Sequence, residues 1–178
     1  MNNSQESLDR FKSNDYRTIE QTMEKLSGGT RRLAAQLTTS ASFDSLWNVL
    51  TDYDRLNLYI PNLLSSKKIY QKNNNVHLKQ VGAQDFLGMK FSAEVTIDLF
   101  EDKELGLLKF SLIKGDFRKF EGSWKIQNIK DTSKNSLIYD LTVQGCQWMP
   151  IGMIEKRLKK DLSENLIAVD RQAKLSIN

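Results

Sequence analysis

The feature that most constrains this chain is a change of hydrophobic period near residue 150. Between residues 90 and 146 apolar side chains fall on every second position. Phe91, Ala93, Val95, Ile97 and Leu99 alternate with Ser92, Glu94, Thr96 and Asp98. Phe120, Gly122, Trp124 and Ile126 alternate with Lys119, Glu121, Ser123 and Lys125, and Tyr139, Leu141 and Val143 with Asp140, Thr142 and Gln144. A period of two puts one face of each strand on a core and the other in water. From residue 151 the spacing becomes three and four: Ile151, Ile154, Leu158, Leu162, Leu166, Val169 and Ala173, with Glu155, Lys156, Lys159, Lys160 and Glu164 opposite. That is an amphipathic helix over 151–175. Short connections make neighbouring strands antiparallel, and a sheet with one dry face needs a cover. The helix supplies it.

The segment before the alternating region fits the same plan. Residues 31–39 alternate, with Leu33, Ala35 and Leu37 on one side. Ser40 or Ser42 then caps a short helix whose Phe43, Leu46, Trp47 and Leu50 share a face, with Asp44 in the first turn, where the helix dipole favours a carboxylate. A second short helix follows Asp52, turns Leu56, Tyr59 and Ile60 inward and stops at Pro61. Six further strands are expected at 65–71, 76–83, 90–100, 107–114, 119–128 and 136–146. The sum is an α+β helix-grip: a seven-stranded antiparallel sheet wrapped around a long C-terminal helix, with two short helices after the first strand. Residues 1–29 read as a polar tail in which 16–26 form a short helix through Ile19, Met23 and Leu26; the domain occupies 30–178.

Composition excludes several classes. One cysteine, Cys146, allows no intrachain disulfide, and one histidine, His77, no multi-histidine metal site. No apolar run reaches the length of about 18 residues that a membrane-spanning helix needs. The first residues lack the apolar core of a signal peptide, so the expected location is the cytoplasm, at most peripheral to a membrane. Twenty-six Lys and Arg against 22 Asp and Glu leave +4, which permits contact with RNA or an anionic membrane and demands neither. No glycine-rich phosphate loop or paired metal ligands occur, and neither a cofactor nor DNA is expected. The basic run Lys156-Arg157-Leu158-Lys159-Lys160 reads first as a solvated helix face, and second as a contact for lipid headgroups or ribosomal RNA.

Three blocks carry a resemblance. Trp47-Asn48-Val49-Leu50-Thr51-Asp52-Tyr53, continuing to Ile60-Pro61-Asn62-Leu63, resembles the opening signature of the coenzyme Q-binding START-domain proteins, within the polyketide cyclase/dehydrase and lipid-transport superfamily. Gln80-Val81-Gly82, Phe86 to Ala93 and Phe120-Glu121-Gly122-Ser123-Trp124 resemble its next two blocks. The resemblance spans residues 31–175. It implies a START-like fold, a prenylquinone or similar lipid as ligand and, from other members, a ribosome-interaction module or a polyketide cyclase as alternatives.

Two groups of residues could carry such a function. Phe91, Val95, Ile97, Phe110, Leu112, Phe120, Trp124, Tyr139, Leu141 and Leu158 face the helix and would line a cavity, with Tyr59, Gln80 and Tyr139 as polar groups to orient a ligand. Periodicity alone does not distinguish a hollow core from a solid one. The turns at one end of the meander are polar: 72–75, 101–104 and 130–135. At the other end they carry Phe86, Met89, Phe117, Trp148 and Met153, which either pack on one another or rim an entrance that touches a membrane transiently. No carboxylate of the clear strands lies on the dry face: Glu94, Asp98, Glu121 and Asp140 face water, as does His77. An acid–base pair for a cyclase is therefore not expected. Cys146 reads as a small filler.

Overall fold

The computed structural model describes residues 11–12, 18–86, 89–146 and 151–175, without the side chains of 11, 12, 18, 84–86, 89–91, 151, 153 and 154. Among these residues nine strands run β1 Phe11–Lys12, β2 Thr18–Lys25, β3 Arg31–Thr39, β4 Leu63–Lys72, β5 Asn75–Phe86, β6 Met89–Asp102, β7 Leu107–Gly115, β8 Lys119–Asn128 and β9 Asn135–Gln144. Helix α1 is Phe43–Thr51, a 3₁₀ helix follows at Tyr53–Leu58, and α2 is Ile151–Leu175. The strands form one antiparallel sheet in the order β1-β2-β3-β9-β8-β7-β6-β5-β4. The only large step in that order joins β3 to β4, and α1 with the 3₁₀ helix spans it.

Two expectations are corrected. Among the described residues the sheet has eight long strands and a two-residue ninth, not seven. The extra long strand is β2, where a helix was expected over 16–26. Ile19 and Met23 are four residues apart, a spacing that suits both a helix and a strand. The contact between them decides: Gln21 is buried with Ile19 on the α2 side, and Glu20 and Glu24 face out. An inward glutamine hides the alternation from a hydrophobicity pattern. Its amide donates to the Lys159 carbonyl of α2 at 2.6 Å, which is why it is tolerated there. Residues 1–10 lie outside the described residues.

The sheet bends to grip α2. Register shifts between Leu63 and Ser65, Lys68 and Tyr70, and Thr96 and Ile97 mark bulges, which kink a strand and raise its twist. The dry face and α2 share a core in which Leu33, Leu37, Leu78, Leu108, Leu137, Leu162 and Leu166 are almost wholly buried. Ser42 caps α1 by accepting from the Ser45 amide at 3.1 Å. Tyr53 and Leu56 of the 3₁₀ helix are buried. Polar contacts fix the ends of the grip. Glu155 accepts from Arg31 at 2.9 Å, tying the start of α2 to β3. The wholly buried Asp170 accepts from Thr39 and pairs with Lys174 at 3.1 Å, tying its end to the β3–α1 corner. No helix among the described residues is long and apolar enough to cross a membrane.

Candidate functional site

The sheet and helix do not close on each other completely. Between them lies a cavity of about 310 Å³ with mainly apolar walls, at the small end of the range of about 300–1,000 Å³ for small-molecule sites. β5 to β9 supply one wall. Residues of α2 at spacings of three and four, from Leu158 to Val169, supply the other. The end of the 3₁₀ helix and the turn Ile60-Pro61-Asn62 close one side.

Aromatic rings build the sheet wall in a connected series. Phe117 sits 5.3 Å from Phe120, Phe120 5.6 Å from Phe110, and Phe110 6.4 Å from Tyr139, ring centre to ring centre. Tyr139 stacks on Trp124 at 4.0 Å and 8°. The register explains the series: Trp124 pairs with Tyr139 across β8–β9, and Phe110 pairs with Gly122 across β7–β8. Gly122 has no side chain to occupy the row, so the Phe110 ring lies over its backbone. A Cβ there would stand 2.9 Å from Phe110 Cζ and 2.0 Å from the Asp140 carbonyl oxygen.

Of the residues read from sequence as a lining, Gln80, Val95, Ile97, Phe110, Phe120, Trp124, Tyr139, Leu141 and Leu158 meet at this cavity. Leu112 does not; it packs against the core elsewhere. Tyr59 does not either. Its hydroxyl donates to the Val49 carbonyl at 2.6 Å, and it lies on the outer side of α2 beside Ile167 and Arg171. That bond satisfies a helix-end carbonyl of α1, so the ring turns away from the interior. The Phe91 side chain lies outside the described residues, as do the side chains of Phe86, Met89 and Met153 and the whole of Trp148; of the expected entrance, only Phe117 is described, and it lines the cavity. His77 stands on the wet face, 3.4 Å from Asp98 and against the Tyr70 ring. Glu94 and Asp140 pair there with Lys79 and Arg32.

The helix contributes what the strands do not. Asp161 lines the cavity, and so does Asn165 one turn later. Asn62 donates its amide to Asp161 Oδ1 at 3.2 Å, and Arg157 Nε stands 3.1 Å from the same oxygen. Tyr139 lies near enough for the Asp161 charge to join burial in pushing its phenol well above the usual tyrosine range. The strand carboxylates Glu94, Asp98, Glu121 and Asp140 do face water; the carboxylate at the cavity comes from the helix, which the reading of the strands did not cover. Asp161 and Asn165 interrupt the apolar series Leu158, Leu162, Leu166 at helical spacing, and that interruption was the available signal. Gln80 is also at the cavity, with its amide donating to Ser66 at 3.1 Å. Among the described residues, no group of three or more His, Cys, Asp or Glu side chains is arranged to hold a metal.

Comparison with known proteins now has a site to refer to. Residues 39–170 match the family described as polyketide cyclase/dehydrase and lipid transport. The chain belongs to that family. The START-like fold of its members recurs in solved structures. A STAR-related lipid transfer protein from Xanthomonas axonopodis superposes with a TM-score of 0.76 at 12% identity, covering 94% of this chain and 98% of that one. Human StAR-related lipid transfer protein 5 gives 0.75 at 6% identity, covering 99% and 90%. The Zhui aromatase/cyclase from Streptomyces sp. R1128 gives 0.70 at 15% identity, covering 84% and 96%. At these identities the likeness establishes the fold alone. The sequence finds no match among curated proteins. In this polyketide cyclase/dehydrase and lipid-transport fold, the cavity lies between the sheet and the long helix.

Proposed function

We propose that the protein binds a hydrophobic small molecule, of the lipid or prenylquinone class, in this cavity and carries it without chemical change. The observation that carries the reading is the cavity itself: a real volume behind an aromatic wall, in a position where a solid core would be expected to close. Binding would be driven by desolvation, at about 25 cal/mol per Å² of apolar surface buried. The family includes lipid-transfer proteins, and the neighbours from Xanthomonas and human carry that description. The volume suits a ring with a short chain, or one end of a longer molecule, rather than the whole of a long isoprenoid.

A cyclase reading has one observation in its favour, the Asp161 carboxylate beside Tyr139. Two facts weigh against it. Asp161 Oδ1 is held by an amide and approached by a guanidinium, and burial with the Asp161 charge raises the Tyr139 phenol's pKa further above neutral pH, keeping it protonated. Efficient proton transfer needs groups whose pKa lies near the working pH.

The test is native mass spectrometry of protein purified without detergent, followed by solvent extraction of anything bound. A stoichiometric lipid or quinone is the expected result. Protein that arrives empty and takes up no added prenylquinone or lipid overturns the reading, and turnover of an aromatic polyketide precursor replaces it with the cyclase.

A further inference from the structure

One end of the molecule carries unanswered positive charge. The turn of residues 26–30, the last residue of β9, the β7–β8 turn and the start of α2 meet there. Gln144 ties the first three together: its side-chain amide donates to the Gly28 carbonyl at 2.7 Å, and its backbone carbonyl accepts from the Arg118 amide at 2.9 Å. Glu155 ties on the fourth, accepting from Arg31 at 2.9 Å with the Lys25 ammonium 3.7 Å away. Lys114, Arg118 and Lys156 are exposed at this end and pair with no carboxylate among the described residues. Lys25 is exposed too, and the Glu155 it approaches is already held by Arg31. The carboxylates nearby are committed. Glu121 pairs with Lys119 at 2.9 Å, Asp116 accepts from the Glu94 amide at 2.7 Å, and Glu24 stands opposite Arg32 on the outer face. The first turn of α2 holds no acidic residue, so the positive end of its dipole adds to the field. At the opposite end the signs are mixed: Lys103 pairs with Asp44 at 3.1 Å, and exposed Glu104 and Asp131 accompany exposed Lys130 and Lys134.

Aliphatic side chains stand among these cations. Leu26, beside the turn, is 44% exposed, and Ile113, the extra residue of the β6–β7 bulge, is 47% exposed. No aromatic ring is exposed among the described side chains of this end: Phe117 and Phe120 are half-buried and pack 5.3 Å apart. We infer that this end docks on an anionic lipid bilayer, with Lys25, Lys114, Arg118 and Lys156 at the headgroups and Leu26 reaching the acyl boundary. Lysine and arginine near an anionic leaflet gain from its negative surface potential, and an aliphatic tip gains by burial. RNA would answer the same cations, but it offers aliphatic side chains nothing to enter, and its bases stack on exposed rings that this end lacks. The inference goes beyond the ligand-binding reading and fits it. Phe117, next to Arg118, lines the cavity, so the aromatic wall begins at the end that docks.

Co-sedimentation with two kinds of vesicle tests it: phosphatidylcholine alone, and phosphatidylcholine with about 30% phosphatidylserine. The protein should sediment with the anionic vesicles and not with the zwitterionic ones, and should be released as salt rises from about 50 to about 300 mM. Each cation at the surface is worth about fivefold in affinity. The triple variant Lys114→Gln, Arg118→Gln, Lys156→Gln should therefore bind the anionic vesicles about tenfold or more weaker. Lys72→Gln, Lys130→Gln, Lys134→Gln removes the same charge from exposed positions at the opposite end and should change the affinity by less than about twofold. Equal sedimentation with both vesicle types, none with either, or an equal loss in the second triple variant overturns the inference. Binding of single-stranded RNA that the first triple variant abolishes, with no binding of vesicles, overturns it in favour of a nucleic-acid surface. Vesicle binding needs no occupied cavity, so failure here leaves the ligand-binding reading standing. A protein that binds anionic vesicles but proves empty by mass spectrometry and takes up no lipid loses that reading alone.

Discussion

Asp161 shows how one side chain changes the meaning of an apolar stripe. A helix residue between Leu158 and Leu162 is expected either to be apolar or to reach solvent, and Asp161 instead meets Asn62 and Arg157 at the edge of the cavity. Charged groups are rarely buried without partners of this kind. Gly122 makes the opposite point, since its contribution is an absent side chain. In sequence it is one more small residue on the dry face of β8. In the structure it is where the Phe110 ring crosses β8. Gly122→Ala forces a Cβ against the Asp140 carbonyl and the Phe110 ring at once. Because the carbonyl belongs to backbone, the strand itself must move. The expected cost is about 1–3 kcal/mol, read as a lowered midpoint in urea, together with loss of the aromatic near-ultraviolet signal that the ordered rings produce. An unchanged midpoint would mean that the two strands are not held so close.

At the scale of elements, the sequence was most readable where one period ran uninterrupted. The ends of β3, β8 and α2 fall on residues 31 to 39, 119 to 128 and 151 to 175, as the patterns predict. β2 was misread because its central inward residue is Gln21, and because a four-residue interval fits two periods. Its membership of the domain can be tested at Ile19, which is 2% exposed. Ile19→Ala should destabilise the whole domain by about 2–4 kcal/mol, whereas the same change in a loose leader would cost nothing measurable; equilibrium unfolding in urea tells them apart. The join between β3 and α2 adds a dependence on pH. The hydrogen bond from Arg31, with Lys25 nearby, holds the Glu155 carboxyl below its ordinary range. A carboxyl whose pKa is lowered by folding stabilises the fold above its unfolded pKa, and that contribution is lost as the pH falls through the folded value. Glu155→Gln should therefore melt below the unaltered protein at about pH 6, and the gap should close towards about pH 3. A gap that stays constant across that range would show the loss to be packing rather than charge.

For the whole molecule, periodicity reports which side of each strand faces the helix, and it is silent on whether the two surfaces touch. Nine of the side chains read as lining do meet around the cavity. The hollow itself was not legible, because it depends on how far the bulges bend the sheet and on where small residues fall opposite one another. Gly82 and Ala93 are such a pair: they are register partners on β5 and β6, and both line the cavity. A cavity kept for a ligand and a cavity left by imperfect packing differ in what is lost when it is filled. Large side chains introduced at Ala93 enter existing space, and filling a void in a core recovers contacts that its lining had forfeited. Ala93→Phe should therefore hold or raise the melting temperature while abolishing uptake of a fluorescent lipid. A packing defect would show the same gain in stability with no function to lose. If instead Ala93→Phe unfolds the domain, the space is smaller than its walls suggest, and the smaller Ala93→Val repeats the test with less volume. Retained stability with lost uptake identifies a site where stability has been given up for binding, since the empty protein would be firmer with the space filled.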